Sequence, residues 1–228
     1  MSLFNDSADA GRKLAKKLSE YANRSDVLIL ALPRGGVPVA FEVAKKLNVK
    51  MDVFIVRKLG VPGNEELAMG AIASDNIRVL NEDVIRSFHI SEQVIDTVTS
   101  NELRELERRE CIYRGNRPKS NISGSTVILI DDGLATGATM RAATAAVKTK
   151  SPAKVVIAVP IAAPDVCSAF KDKVDEIICV ATPDPFYYVG AWYEDFSQTT
   201  YEDFSQTTDA EVCELLDKAA KIKPMEPK

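Results

Sequence analysis

Five strand-sized apolar runs, with helical or turn-forming segments between them, set the architecture. They lie at residues 27–32, 52–57, 126–131, 154–160 and 176–181. A strand with one wet face alternates apolar and polar residues. These runs are apolar on both parities through their centres, so both faces of each strand must be covered. Apolar residues recur at helical spacing over 37–47, 138–150 and 164–170. The alternation predicts an α/β fold: an open, mostly parallel five-stranded sheet with helices on both faces.

The other segments attach to that core as one domain spanning 1–228, with the core at about 25–182. Asp6 can cap a first helix that carries Ala10, Leu14, Ala15, Leu18 and Tyr21 on one face. A long helix is expected over 91–113, and the charged residues Glu102, Arg104, Glu105, Glu107, Arg108, Arg109 and Glu110 read as its solvated face. Between 58 and 76 the pattern breaks up around Gly60, Pro62, Gly63 and Gly70. That predicts a long, mobile loop with room for a short hairpin, and functional loops of this length are commonly lids. Residues 193–200 recur without change at 201–208, a local duplication that lengthens a surface loop before a last helix at 209–221. Loop-closure entropy grows slowly with length, so the insertion is tolerable.

Composition removes several function classes. The formal net charge of −4 advertises no basic face for nucleic acid. A single histidine, His89, leaves little for multi-histidine zinc sites or for Ser-His and Cys-His catalysis. It reads as a surface residue at the end of a short helix. The four cysteines at 111, 167, 179 and 213 have no metal-pair spacing and suit a reducing compartment. The N-terminus shows no secretory pattern, and no apolar run approaches the ~20 residues that span a bilayer. A cytoplasmic chain without a membrane or nucleic-acid partner is expected.

Chemistry concentrates where the third run ends, in Asp131-Asp132-Gly133-Leu-Ala135-Thr136-Gly137-Ala138-Thr139. Ligands of an open parallel sheet bind outside the carboxyl ends of its strands. Two adjacent carboxylates there repel each other and call for compensation. A ribose diol offers two O–H donors, and Mg²⁺ takes oxygen ligands while keeping several waters. The small residues that follow lead into a helix whose first N–H groups and dipole suit a phosphate, with Thr136 and Thr139 adding hydroxyls. The Lys-Ser/Thr ending of a Walker loop is absent. An Asp-Gly strand-to-helix turn explains one aspartate and one glycine, but not the second aspartate, both threonines and the second glycine. The segment therefore reads as a site for a phosphorylated ribose.

A second anion loop, Pro33-Arg34-Gly35-Gly36, joins the first run to the next helix. Arg34 can grip a phosphate through two parallel hydrogen bonds. Arg57 and Lys58 close the second run at the same predicted sheet edge. Phe186, Tyr187, Tyr188, Trp192 and Tyr193 form an aromatic cluster that can stack on a planar base or pack as ordinary structure.

With these motifs assembled, the sequence resembles the type I phosphoribosyltransferases, whose signature is an apolar strand, two acidic residues and a Thr/Gly loop. Pro33-Arg-Gly-Gly, Val56-Arg-Lys-Leu-Gly-Val-Pro-Gly-Asn-Glu-Glu-Leu-Ala and Gly190-Ala-Trp-Tyr further resemble a bacterial subgroup without an assigned base. The resemblance implies a flexible loop over 58–76 and a C-terminal hood over 183–208 that covers a base. By the same likeness Asp131 and Asp132 hold the ribose hydroxyls and Mg²⁺ through water. Gly133 and residues 135–139 hold the 5′-phosphate. Arg34, Gly35, Gly36, Arg57 and Lys58 hold pyrophosphate, with Arg34 acting in catalysis beside the two aspartates. Phe186, Tyr187 and Trp192 serve the hood. The implied reaction consumes phosphoribosyl pyrophosphate and a small-molecule acceptor, and a homodimer is the default assembly.

One position departs from a useful family pattern. The 6-oxopurine enzymes carry an acidic residue in the phosphate loop where this chain has Ala135, so that general base is missing. A non-catalytic phosphoribosyl pyrophosphate sensor on the same fold stays open as an alternative, since fold does not fix function. The acidic charge balance and the lack of an evident nucleic-acid-binding element disfavour it.

Overall fold

A computed structural model describes residues 2–74, 77–115, 117–195 and 207–222. Its central strands are β1 (Val27–Ala31), β2 (Lys50–Val53), β6 (Thr126–Ile130), β7 (Lys154–Ile161) and β8 (Glu176–Ala181). They form a five-stranded sheet of order β2-β1-β6-β7-β8, in which every neighbouring pair is parallel. Alternate residues of the central strands feed two separate cores. Ile29, Ala31, Ile128, Ile130, Val156 and Ala158 face one cluster. Leu28, Leu30, Val127, Leu129, Val155 and Ile157 face the other. This double burial is why the runs are apolar on both parities.

The first core is closed by α1 (Ser7–Lys17), α2 (Gly36–Leu47), α4 (Glu92–Arg114) and α7 (Asp209–Ala219). The second is closed by α5 (Ala138–Lys148) and α6 (Pro164–Ala169). Asp6 caps α1 by accepting from the Asp9 N–H at 2.6 Å, as its position predicts. Thr208 caps α7 through a reciprocal box with Glu211, which fixes where that helix starts.

The second run departs from expectation. The parallel strand ends at Val53, and the Phe54 N–H makes one more bond to the Ala31 carbonyl. The chain then enters a different, antiparallel sheet of β3 (Val56–Val61), β4 (Asn64–Ala73) and β5 (Ile77–Leu80). Phe54 and Ile55 are buried in opposite cores, so the run stays apolar through the change of partners. Arg57 and Lys58 accordingly stand on β3 and do not close a parallel strand.

The expected loop is thus mostly sheet. Pro62 and Gly63 take the corner between paired Val61 and Asn64. Leu59, Val61, Met69 and Ile72 pack into the first core, which compensates the glycines that weaken the pattern. The short α3 (Glu82–Ser87), capped by Asn81, leads through His89 at φ +51° into α4. Residues 196–206 of the duplication lie outside the described residues. Among the described residues, no helix is long and apolar enough to cross a membrane.

Candidate functional site

The strand order places the two loops. From β1 the chain moves to β2 on one side, and from β6 it moves to β7 on the other. The sheet changes its direction of winding between β1 and β6, and a crevice opens outside their carboxyl ends. Pro33-Arg34-Gly35-Gly36 leaves one lip of it and Asp131–Thr139 leaves the other. The Leu32 N–H bonds the Ile130 carbonyl at 2.9 Å, so the strands are still paired where the loops depart.

The loops then touch. A Cβ on Gly35 would sit 2.1 Å from an Asp132 carboxylate oxygen, and one on Gly36 would sit 2.7 Å from the Ile130 carbonyl and 2.9 Å from the Asp131 Cα. At Gly36 the obstacle includes backbone, and at Gly35 a side chain would displace the Asp132 carboxylate. Both glycines are required by the approach of the acidic pair.

Burial and proximity govern the acidic pair itself. Asp131 Oδ1 accepts from the Asp132 N–H at 2.9 Å. Burial pushes the Asp131 carboxyl well above its ordinary range, and the neighbouring Asp132 charge adds to the rise. Burial likewise lifts Asp132, to about 6, against the opposing help of nearby hydrogen bonds. Two carboxyls so placed favour a cation or hydroxyl donors between them and the crevice.

Beyond them the chain turns into α5. The Leu134 N–H bonds the Ile161 carbonyl at 2.9 Å, pinning the loop to β7. Ala135, Thr136 and Thr139 are exposed, whereas Gly137 is buried under Val166 and Phe170. Gly137 takes a left-handed φ of 69°, which turns the chain into α5 and presents the first N–H groups of that helix. Arg141 braces the turn by donating to the Thr136 carbonyl at 2.6 Å, with its guanidinium 5.9 Å from the Phe170 ring. Sequence reading gave Arg141 no role. Its position one turn into the helix is the only hint it offers.

On the other lip, Arg34 is exposed and its guanidinium lies 3.9 Å from Asp209 at the start of α7. The Pro33–Arg34 peptide bond is cis. A cleft of about 610 Å³ extends from here, lined by Pro33, Thr139, Arg57, Lys58 and Arg109 among others. Arg57 and Lys58 thus line the same cleft as Pro33 and Thr139, although they arrive from the antiparallel sheet. Arg57 is clamped by Glu102 of α4, with nitrogen–oxygen distances of 2.7 and 2.6 Å.

The hood aromatics separate. Tyr187 is 71% exposed, Phe186 packs between two clusters, and Trp192 packs with Phe4, Ile161 and Tyr193. Tyr193 does what no periodicity announced: its buried hydroxyl donates to the Asp132 carbonyl at 2.6 Å. Val189 lies against Gly133, where a Cβ would be 2.7 Å from a valine methyl. The 183–195 segment thereby rests on the Asp131–Thr139 loop at two points. Among the described residues no group of three or more metal-ligating side chains occurs.

The family model for the phosphoribosyl transferase domain matches residues 3–184, which contain both loops and all five parallel strands. The chain belongs to the type I phosphoribosyltransferase family. Its relatives include the "Putative phosphoribosyl transferase Rv0571c" of Mycobacterium tuberculosis, 46% identical over 219 residues, with 96% of this chain and 47% of that protein aligned. The chain spans about half the length of the curated relatives it matches. A crystal structure of TT1426 from Thermus thermophilus superposes with a TM-score of 0.82 at 37% identity, covering 96% of this chain and 99% of that one. The phosphoribosyltransferase fold is therefore present from the first strand to the last.

Proposed function

We propose that this phosphoribosyltransferase binds phosphoribosyl pyrophosphate in the β1–β6 crevice and transfers the phosphoribosyl group to a small-molecule acceptor, releasing pyrophosphate. The observation that carries the reading is the contact of the two loops, with Gly35 and Gly36 pressed on Asp132 and Asp131. Acceptors for ribose hydroxyls thereby stand one residue's width from the loop that carries Arg34. A ligand with a sugar diol and a diphosphate on adjacent carbons matches that spacing.

Each residue's task follows from its chemistry. Asp131 and Asp132 accept hydrogen bonds from the 2′- and 3′-hydroxyls, which relieves the cost of their burial. The N–H groups at 135–139, with the Thr136 and Thr139 hydroxyls, bind the 5′-phosphate. Arg34, Arg57 and Lys58 take the negative charge that develops on pyrophosphate as its bond to the anomeric carbon breaks. Asp131 and Asp132 would hold a Mg²⁺ ion, which when bound would supply further neutralisation of the leaving group. Fixing both ends of the donor aligns the anomeric carbon for attack. Exposed Ala135 supplies no proton acceptor, so the acceptor must be nucleophilic without help from that position. Tyr187 offers an open face beside the hood for a planar ring.

The test is release of pyrophosphate from phosphoribosyl pyrophosphate and Mg²⁺ against a panel of purine, pyrimidine and pyridine bases. Turnover with at least one base is expected. Saturable binding without turnover on any of them would favour a sensor on this fold.

A further inference from the structure

The charged stretch of α4 is more than a solvated face. Val98, Asn101, Glu102 and Arg109 fall on one stripe of that helix and line the 610 Å³ cleft that Pro33 and Thr139 also line. Glu102 is consumed in clamping Arg57. Glu105 accepts from Arg109 Nε at 2.7 Å and also holds Arg108. The Glu105 bond uses only Nε. It leaves the two terminal nitrogens of Arg109 without an acceptor among the described residues, on a side chain only 23% exposed.

A second link ties the helix to the pyrophosphate loop. Asp209 accepts from the buried Tyr113 hydroxyl at 2.5 Å, lies 3.6 Å from Arg108 and reaches Arg34 at 3.9 Å. Tyr113 and Arg108 both belong to α4. The same helix thus neighbours Arg34 through Asp209 and the cleft through Arg109.

We infer that Arg109 is a further pyrophosphate-binding residue. The inference rests on the proposed function and adds a wall to the same site. Glu105 fixes the guanidinium by one edge, so its terminal nitrogens face the cleft as a preformed fork for phosphoryl oxygens. Arg34 approaches the diphosphate from the β1 loop, Arg57 and Lys58 from β3, and Arg109 from α4. The ligand class is an inorganic diphosphate, or a sugar bearing one.

Calorimetric titrations with Mg-pyrophosphate and, separately, ribose 5-phosphate test it on the full chain and on Arg34→Ala, Arg109→Gln and Arg109→Lys variants. Arg109→Gln should weaken pyrophosphate about tenfold or more and leave ribose 5-phosphate within about twofold. A structural role alone would move both ligands together. Should Arg109→Gln fail to fold, Arg109→Lys decides, because lysine keeps the charge but cannot form the fork: weaker pyrophosphate at unchanged ribose 5-phosphate supports the inference. Unchanged pyrophosphate affinity in the Arg109 variants, with a loss in Arg34→Ala, overturns it and leaves the proposed function standing. A wild-type chain that binds ribose 5-phosphate but no pyrophosphate overturns both.

Discussion

The Tyr193 hydroxyl donates a 2.6 Å hydrogen bond to the main-chain carbonyl of Asp132, joining two segments 61 residues apart. The bond is buried, and the Phe4 ring packs 5.2 Å from the tyrosine ring. Backbone hydrogen bonds from Leu3 and Phe4 to the Trp192 carbonyl hold the segment before α1 there as well. Asp132 is therefore braced from the segment after β8 and not only from its own strand. Tyr193→Phe leaves a buried carbonyl unpaired at a cost of about 1–3 kcal/mol. Thermal unfolding should record that loss, and ribose 5-phosphate affinity should fall with it. Unchanged stability and unchanged affinity would refute the bracing role.

The acidic pair makes stability depend on pH in an unusual direction. The folded-state value of Asp132, about 6, lies above the ordinary carboxyl value of 3.8, and Asp131 is raised as well. Folding thus favours the protonated forms. The stability they contribute is complete below about pH 4 and is lost as pH rises through about 6. Keeping Asp132 ionised near neutrality costs on the order of 1–3 kcal/mol. Asp132→Asn should therefore raise the ligand-free melting temperature at about pH 7.5, by roughly 2–4 °C for each kcal/mol recovered. The gain should vanish near pH 4. A variant that melts below wild type at both pH values would contradict the account.

Gly35 separates chemistry from packing. Alanine there would put its Cβ 2.1 Å from the Asp132 carboxylate, which must swing away. Gly36→Ala collides with backbone and has no such escape. Gly35→Ala should remain folded and lose affinity for phosphoribosyl pyrophosphate, whereas Gly36→Ala should lose about 1–3 kcal/mol of stability or more. Circular dichroism melts beside ligand titrations check both. Equal behaviour of the two variants would show that the loops do not meet as described.

These features were not equally visible in the sequence. The parallel sheet was legible because double burial leaves both parities apolar, as Leu28 and Ile29 illustrate by entering opposite cores. The Asp131-Asp132 motif was legible because its residue types exceed what a turn needs. The break after Val53 was not, since Phe54 and Ile55 stay buried while the hydrogen-bond partners change. The antiparallel sheet hid behind Gly60, Pro62 and Gly70, which read as loop. Gly60 sits at a register shift and Pro62 at the corner, both compatible with strands. Tyr193 pairs with Asp132 61 residues away, and Arg109 shares a cleft with Pro33 and Arg57; periodicity carries no information about such neighbours.

The central claim is that Asp131 and Asp132 hold the ribose of phosphoribosyl pyrophosphate at the β1–β6 crevice. Its most direct test is a calorimetric titration of phosphoribosyl pyrophosphate with Mg²⁺ into wild type and into the Asp131→Asn, Asp132→Asn double variant. Two hydrogen bonds to charged acceptors at about 1.5–3 kcal/mol each predict saturable wild-type binding and a loss of roughly a hundredfold or more in a variant that still folds. Equal affinity in the two proteins, or no binding by wild type, would contradict it.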